Sequence, residues 1–207
     1  MTALIIGVIL LAAFGPIFWM LPSRSDRRLS AMRTRARNLG IAVEITQLDA
    51  LDADAASRVS AGGVRRDPKV VCAAYRLGLR RMAHAAPQWK LLYKADTDEG
   101  PIPGWLLHAA AGGDHNRARN PAVDVRYWTQ VAQVIAQLPA DALALAADAT
   151  EVTCWWRERT SAEDAVASVD RLHNSLQKLG EIQLLEDQKA RPDETAEGVA
   201  NDPTERR

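Results

Sequence analysis

The stretch ALIIGVILLAAFGPIFWML, residues 3–21, decides how the rest of the chain is divided. It carries no charge, and a helix that rises about 1.5 Å per residue over this length reaches about the thickness of a bilayer's hydrocarbon core. Residues 1–22 are therefore predicted to form a transmembrane anchor. The alternative is a cleaved signal peptide, but only Met1 and Thr2 precede the apolar run, and neither is basic.

Arginines follow the apolar stretch at once and predict its orientation. Six of them lie between residues 24 and 37, against the single acid Asp26. Arginine close to the end of a span holds that end in the cytoplasm, so we expect an inner (plasma) membrane protein with its N-terminus outside and its soluble domain cytoplasmic. The predicted membrane-interface residues are Trp19, Arg24, Arg27 and Arg28, and Trp19 is among them because its amphipathic ring prefers the headgroup layer.

The junction behind the anchor has a pattern of its own. It consists of Trp19-x-x-Pro22-Ser23, then Arg27 and Arg28, and then a Leu39-Gly40 turn. The pattern resembles a group of bacterial single-pass inner-membrane proteins, some of which are labelled YajC-like translocase-accessory proteins. The resemblance covers the anchor region, implies a short N-out anchor that carries a cytoplasmic β-rich domain, and transfers no functional residues.

Residues 23–40 are predicted to form a basic juxtamembrane helix. Leu29, Met32, Ala36 and Leu39 recur at three- and four-residue spacing while arginines occupy the other faces, and Gly40 ends the helix. A helix of this kind lies near a membrane surface. Two interpretations stay open: recognition of an acidic lipid or partner, or a topology signal with solvated arginines.

Residues 41–185 are predicted to form one cytoplasmic α+β domain, a small antiparallel sheet packed with two or more helices. Apolar patterns predict strands at 41–46, 69–79, 88–94, 105–111 and 151–157, with the second and third forming a hairpin, and leave 140–149 unassigned. Residues 123–138 read as a helix, and a T-x-x-E capping box from Thr160 to Glu163 opens another that runs to Leu185. Trp155 and Trp156 are neighbours on a strand and must point to opposite faces, so one face beyond the core is covered or exposes an apolar patch.

The C-terminal segment and the cysteines complete the division of the chain. Residues 186–207 are polar, contain prolines and lack aromatics, which predicts a disordered tail. Cys72 and Cys154 belong to no CxxC motif and are expected to be reduced and buried, although the sequence leaves a disulfide between them open.

Motifs for catalysis, cofactors and metals are absent from the sequence. It contains no HExxH, no GxSxG and no phosphate-binding glycine loop. The one polar cluster worth testing is His84, His108, Asp114 and His115, which would need to converge to form a metal or general-base site. The formal net charge is zero and the basic segment is confined to residues 23–37 behind the anchor, which argues against a nucleic-acid partner.

These observations predict a membrane-tethered interaction or accessory protein without catalytic activity or a cofactor. Its expected partners are the lipid bilayer, through residues 3–21, and a membrane or cytoplasmic protein. The alternative is a small membrane-associated hydrolase or metal-dependent enzyme that uses the region of His108, Asp114 and His115.

Overall fold

Helices and strands combine in an α+β arrangement, as predicted. The computed structural model describes residues 23–51, 62–64, 68–95, 97–108, 125–161 and 163–191. In chain order these contain helix α1 (Arg24–Asn38), strands β1 (Ala42–Asp49), β2 (Lys69–Gly78), β3 (Trp89–Tyr93) and β4 (Trp105–Leu107), helix α2 (Val125–Ile135), strands β5 (Ala142–Ala147) and β6 (Glu151–Trp156), and helix α3 (Ala165–Ala190).

The strands form one antiparallel sheet in the order β1-β2-β6-β5-β3-β4. The predicted hairpin of residues 69–79 and 88–94 is wrong, because β2 pairs with β1 and β6, whereas β3 pairs with β5 and β4. Each run was a correct strand, but proximity in sequence does not decide which strands pair.

The sequence pattern did not predict the hairpin of β5 and β6, which lies between β2 and β3 in the sheet. Strands β5 and β6 pair with each other, and a turn at Asp148 joins them. One carboxylate oxygen of Asp148 accepts hydrogen bonds from the backbone N–H of Thr150 at 2.7 Å and of Glu151 at 2.8 Å. This side-chain turn lets the alanine-rich residues before it, left unassigned from sequence, form the central strand β5.

All three helices pack on the same face of the sheet. Their buried residues share one core with Tyr75, Leu145 and Trp156, which lie on neighbouring strands and are fully buried. Helix α3 contributes most to this core, through Val169, Leu172, Leu176 and Leu179. At about 25 cal/mol per Å² of apolar surface removed from water, this shared core is the main stabilising term of the fold.

Helix α1 belongs to the domain, whereas the sequence pattern placed it apart as a juxtamembrane helix. Met32 and Ala36 are 0% exposed and join the core beside α3. Ser23 caps its start, accepting a hydrogen bond from the Asp26 N–H at 3.1 Å, and Gly40 follows its end at a φ of 78°. An apolar stripe shows that a helix is one-sided, but not whether protein or lipid covers that side.

Helix α3 begins and ends later than predicted. The Thr160–Glu163 capping box does not form; instead the Ser161 hydroxyl accepts the Asp164 N–H at 3.1 Å, and the helix starts at Ala165. It continues past Leu185 to Ala190. The predicted start of the tail at residue 186 is therefore too early. Amino-acid composition is averaged over a window, and it does not reveal that one carboxylate in this window is buried.

That carboxylate is Asp187, which is 0% exposed. Its Oδ1 accepts the N–H of Ala85 at 2.9 Å and so ties the last turns of α3 to the loop before β3. Arg191 lies 3.2 Å from its other oxygen. The remainder of the predicted tail, 192–207, lies outside the described residues.

The predicted anchor, residues 3–21, also lies outside the described residues. Among the helices that are described, none combines the length and the apolar character needed to cross a membrane.

Candidate binding face

One face of the sheet carries no helix in the described part of the chain. Because alternate side chains of a strand point to opposite sides, the strand register gives the residues on this face. Its two longest rows across the sheet are Glu44, Ala74, Trp155, Ala144, Leu92 and Leu106, and Ala42, Arg76, Thr153, Ala146 and Lys90. We call this surface the helix-free face.

Trp155 stands at the centre of the helix-free face. Its neighbours across the strands are Ala74 and Ala144, small residues that leave room for the indole ring. The Lys90 ammonium lies 4.5 Å from the ring centroid, a cation–π contact that contributes about 0.5 to 2 kcal/mol. The adjacent Trp156 is fully buried in the core, which confirms that the two tryptophans point to opposite faces.

Burial also shifts the ionisation of the groups around Trp155. It lowers the pKa of the Lys90 ammonium, and the nearby Asp49 carboxylate opposes that shift. It raises the pKa of the Cys72 thiol, against the charges of Lys90 and Arg157. Cys72 is therefore a neutral thiol at pH 7, and a thiol in that state is a weak nucleophile.

The two cysteines lie on opposite faces of the sheet. Cys154 pairs with Tyr75 and shares the helix-covered core, whereas Cys72 lies three residues before Tyr75 on the same strand and points the other way. Both are free and buried, as predicted. The question of a disulfide between them is settled, because side chains on opposite faces of one sheet cannot bond.

A cavity of about 220 Å³ opens at the end of the helix-free face where β1 ends and β2 begins. Apolar side chains dominate its lining, which consists of Leu48, Asp49, Ala50, Leu51, Val70, Leu92, Tyr93, Leu143 and Arg157. The Nε of Arg157 is buried and has no hydrogen-bond partner among the described residues. The Nε atoms of Arg28 and Arg76 also lack a hydrogen-bond partner among the described residues, but of the three only Arg157 lines this cleft, and a polar group set in an apolar cleft is typical of a binding site.

Charged side chains occupy the opposite end of the helix-free face. Arg76 on β2 reaches Glu44 on β1 at 2.7 Å and lies 3.8 Å from Glu151 on β6. Exposed pairs of this kind contribute about 0 to 1 kcal/mol each. These pairs make one end of the helix-free face ionic. The other end, beyond Trp155, is apolar and holds the cavity.

The predicted membrane-interface residues differ in how far they are buried. Arg24 and Arg27 lie exposed on the first turns of α1, and Trp19 lies outside the described residues. Arg28 is half-buried, and its Nη1 donates to the Thr160 carbonyl oxygen at 2.5 Å. Arg28 therefore holds α1 to the segment before α3, a role that the sequence did not indicate.

Arg33 was predicted only as part of the basic segment, yet its pair with Glu158 has the lowest combined exposure of the ion pairs among the described residues. Its guanidinium binds both carboxylate oxygens of Glu158, at 3.0 and 2.5 Å, and the Tyr75 hydroxyl donates to Glu158 at 2.9 Å. This contact raises the pKa of Arg33, while burial, followed by the Glu158 charge, raises that of Tyr75. Glu158 adopts a φ of 57°, a left-handed conformation that costs about 1 kcal/mol or more and that the bidentate pair maintains.

The histidine cluster is described only in part. His84 lies exposed in the loop before β3, and His108 follows β4, where its backbone N–H donates to the Lys90 carbonyl oxygen at 2.8 Å. Asp114 and His115 lie outside the described residues, so the predicted alternative site stays a prediction. Within the described ranges, no group of three or more histidine, cysteine or acidic side chains is placed to hold a metal ion.

Comparison with known proteins adds no assignment to this geometry. No family model, no curated protein and no solved structure matches the chain. The resemblance to single-pass inner-membrane proteins therefore stays a prediction that rests on the anchor region.

Proposed function

We propose that this chain is a single-pass protein of the inner (plasma) membrane, anchored by residues 3–21, whose cytoplasmic domain is a non-catalytic module that binds another protein through the helix-free face. The observation that carries the proposal is the buried Arg157 donor beside the apolar cavity. An acceptor on the partner satisfies that donor, while the surrounding leucines bury an apolar side chain next to it. The partner segment therefore combines an acidic and an apolar side chain.

The orientation of the proposed anchor rests on arginines that later become part of the fold. Arg33 and Arg35 bind Glu158 and Asp170, acids that lie 125 and 135 residues further along the chain. Because the chain is made from its N-terminus, these acids are not yet available when the anchor inserts. The unpaired positive charges then hold that end of the span in the cytoplasm.

A reporter fused after Arg207 tests the tether and its orientation. We expect the fusion to fractionate with membranes and the reporter to be active in the cytoplasm. A reporter that works only in the periplasm would overturn the orientation, and a fusion that stays in the soluble fraction would overturn the anchor.

Site-specific photo-cross-linking tests the binding face. A photoreactive residue replaces Leu106, at the β4 edge of the helix-free face, and in a matched control it replaces Leu185, which is 55% exposed on α3. We expect one discrete cross-linked partner from position 106 and none from position 185. Equal labelling from both positions, or none from 106, would contradict a binding function of this face.

A further inference from the structure

The two edges of the sheet differ in how they are protected. Edge strand β4 has three residues, whereas β1 has eight, and its register with β2 is continuous over all eight pairs. The β1 sequence AVEITQLD contains no proline and no lysine, the residues that most often prevent an edge from pairing. A long, regular edge without these features can accept another strand.

The backbone groups that are free to pair follow from the hydrogen bonds to β2. The N–H of Ala50 donates to the Pro68 carbonyl at 2.8 Å, in line with the register of β1 on β2. Because such bonds alternate along an antiparallel pair, the even-numbered residues of β1 bond to β2. The odd-numbered residues, Val43, Ile45, Gln47 and Asp49, present their N–H and C=O groups outward.

Exposed apolar side chains lie along this edge. Ile45 is 52% exposed at the middle of β1, and Val71, diagonal to it on β2, is 62% exposed. Both point to the helix-covered side of the sheet, beyond the helices that cover the rest of it. A strand added at this edge lies directly beside Ile45 and extends the apolar surface that Ile45 forms with Val71.

We propose that β1 pairs with β1 of a second copy of this chain, antiparallel and centred on Ile45. In this register Ile45 lies opposite Ile45 of the other copy, Val43 opposite Gln47, and Glu44 opposite Thr46. No like charges face each other, and the apolar side chains meet on one side. The register centred on Glu44 is excluded, because it sets two carboxylates directly opposite each other.

The strand's complementarity to itself points to a second copy as the partner. A two-fold axis through Ile45 uses the same edge of both copies and closes the assembly at two chains, so no open edge of this kind is left over. The dimer edge adjoins the proposed partner site, because Leu48 and Asp49 of β1 line the cavity, but the cross-linking position Leu106 lies at the far edge of the sheet. Cross-linking at Ile45 therefore tests the dimer, and cross-linking at Leu106 tests the partner site.

Cysteine cross-linking of the full-length chain tests the register. Ile45→Cys is treated with a short bismaleimide, and Leu185→Cys, at 55% exposure against 52%, is the matched control. The native Cys72 and Cys154 are buried and do not react in the folded protein. We expect Ile45→Cys to give a covalent dimer and Leu185→Cys to stay monomeric; equal dimer from both, or none from Ile45→Cys, overturns the proposal.

A charge exchange tests the pairing without a cross-linker. Ile45→Lys and Ile45→Glu each set like charges across the two-fold axis, so each variant alone is expected to be monomeric at concentrations where the unaltered chain is dimeric. Their equimolar mixture is expected to restore the dimer as a mixed pair, a rescue that a folding defect cannot produce. Monomeric unaltered chain, dimers of either variant alone, or no rescue in the mixture contradict the proposal.

Discussion

The two faces of the sheet differ in what completes them. On one face three helices bury Tyr75, Leu145 and Trp156 completely, and the Arg33 guanidinium there is paired with Glu158. On the helix-free face Trp155 stays half-buried under Lys90, and Arg157 holds a buried donor without an acceptor. The helices cover the first face within one domain, and we propose that a partner supplies the acceptor that is missing on the second. Substitutions on the covered face should therefore lower stability, and those on the helix-free face should lower binding.

The adjacent tryptophans give the sharpest contrast between the faces. Trp156→Ala empties a fully buried site and removes the indole donor to Asp141, so we expect a loss of about 3 to 5 kcal/mol in the free energy of unfolding. Trp155→Ala removes a half-buried ring and one cation–π contact and should cost about 1 to 2 kcal/mol. Urea unfolding followed by circular dichroism measures both; equal losses would remove the distinction.

The same pair of residues shows how much of the fold the sequence predicts. Period-two alternation correctly set Trp155 and Trp156 on opposite faces, because alternation is a local property of a strand. It could not place Trp155 beside Lys90, since that contact depends on β5 lying between β6 and β3. The hairpin error with residues 69–79 and 88–94 has the same origin: the pattern marks strands but not their order.

The arginines of α1 show what the sequence could not say about the candidate site. Their spacing suggested a membrane or solvent-facing surface, and nothing local marks Glu158 as the acid that binds Arg33 across 125 positions. The cavity at Arg157 was likewise missed, because its lining comes from β1, β2, β3 and the β5 region. Only the folded register brings such residues together.

Helix α1 forms one buried and one exposed ion pair on the covered side, and the two are expected to differ in their contribution to stability. Glu158→Gln breaks the pair with Arg33 and weakens the acceptor of Tyr75, and we expect it to cost about 3 kcal/mol. Asp170→Asn breaks the pair with Arg35, in which the Arg35 side chain is 42% exposed and the Asp170 side chain 39% exposed. This substitution should cost at most about 1 kcal/mol. Thermal and urea unfolding of both variants compare them, and an equal cost would mean that the Glu158 pair is not structural.

The end of α3 tests how far the covered side extends. A chain that stops after Arg191 should unfold like the full-length protein, whereas one that stops after Leu185 loses Asp187 and leaves the half-buried Ala85 N–H without its acceptor. That loss is expected to cost about 1 to 3 kcal/mol. The melting temperatures of the two truncated chains measure this cost. If the shorter chain is as stable as the longer one, the folded domain ends at Leu185, as the sequence predicted.

The cysteines give a smaller contrast at alkaline pH. Burial raises the pKa of Cys154 and of Cys72 above the ordinary value of 9.0, and nearby Lys90 and Arg157 oppose the shift only at Cys72. Above pH 9 the unfolded chain releases thiol protons that the folded chain keeps, so stability falls as pH rises, by at most about 1.4 kcal/mol per pH unit for each group. Unfolding at pH 8 to 10 should show a flatter pH dependence in Cys154→Ala than in Cys72→Ala; the reverse order would contradict the assignment.

The most direct test of the helix-free face is one substitution followed by two readouts. Arg157→Met removes the donor that lacks an acceptor and keeps an unbranched side chain of moderate size, and the exposed Arg159→Met is the matched control. We predict that Arg157→Met leaves the free energy of unfolding unchanged or raised, because a buried donor without a partner costs stability, while it abolishes the cross-link from position 106. Arg159→Met should change neither quantity. If Arg157→Met destabilises the domain and keeps the cross-link, Arg157 supports the fold, and the proposal that its donor binds the partner is wrong.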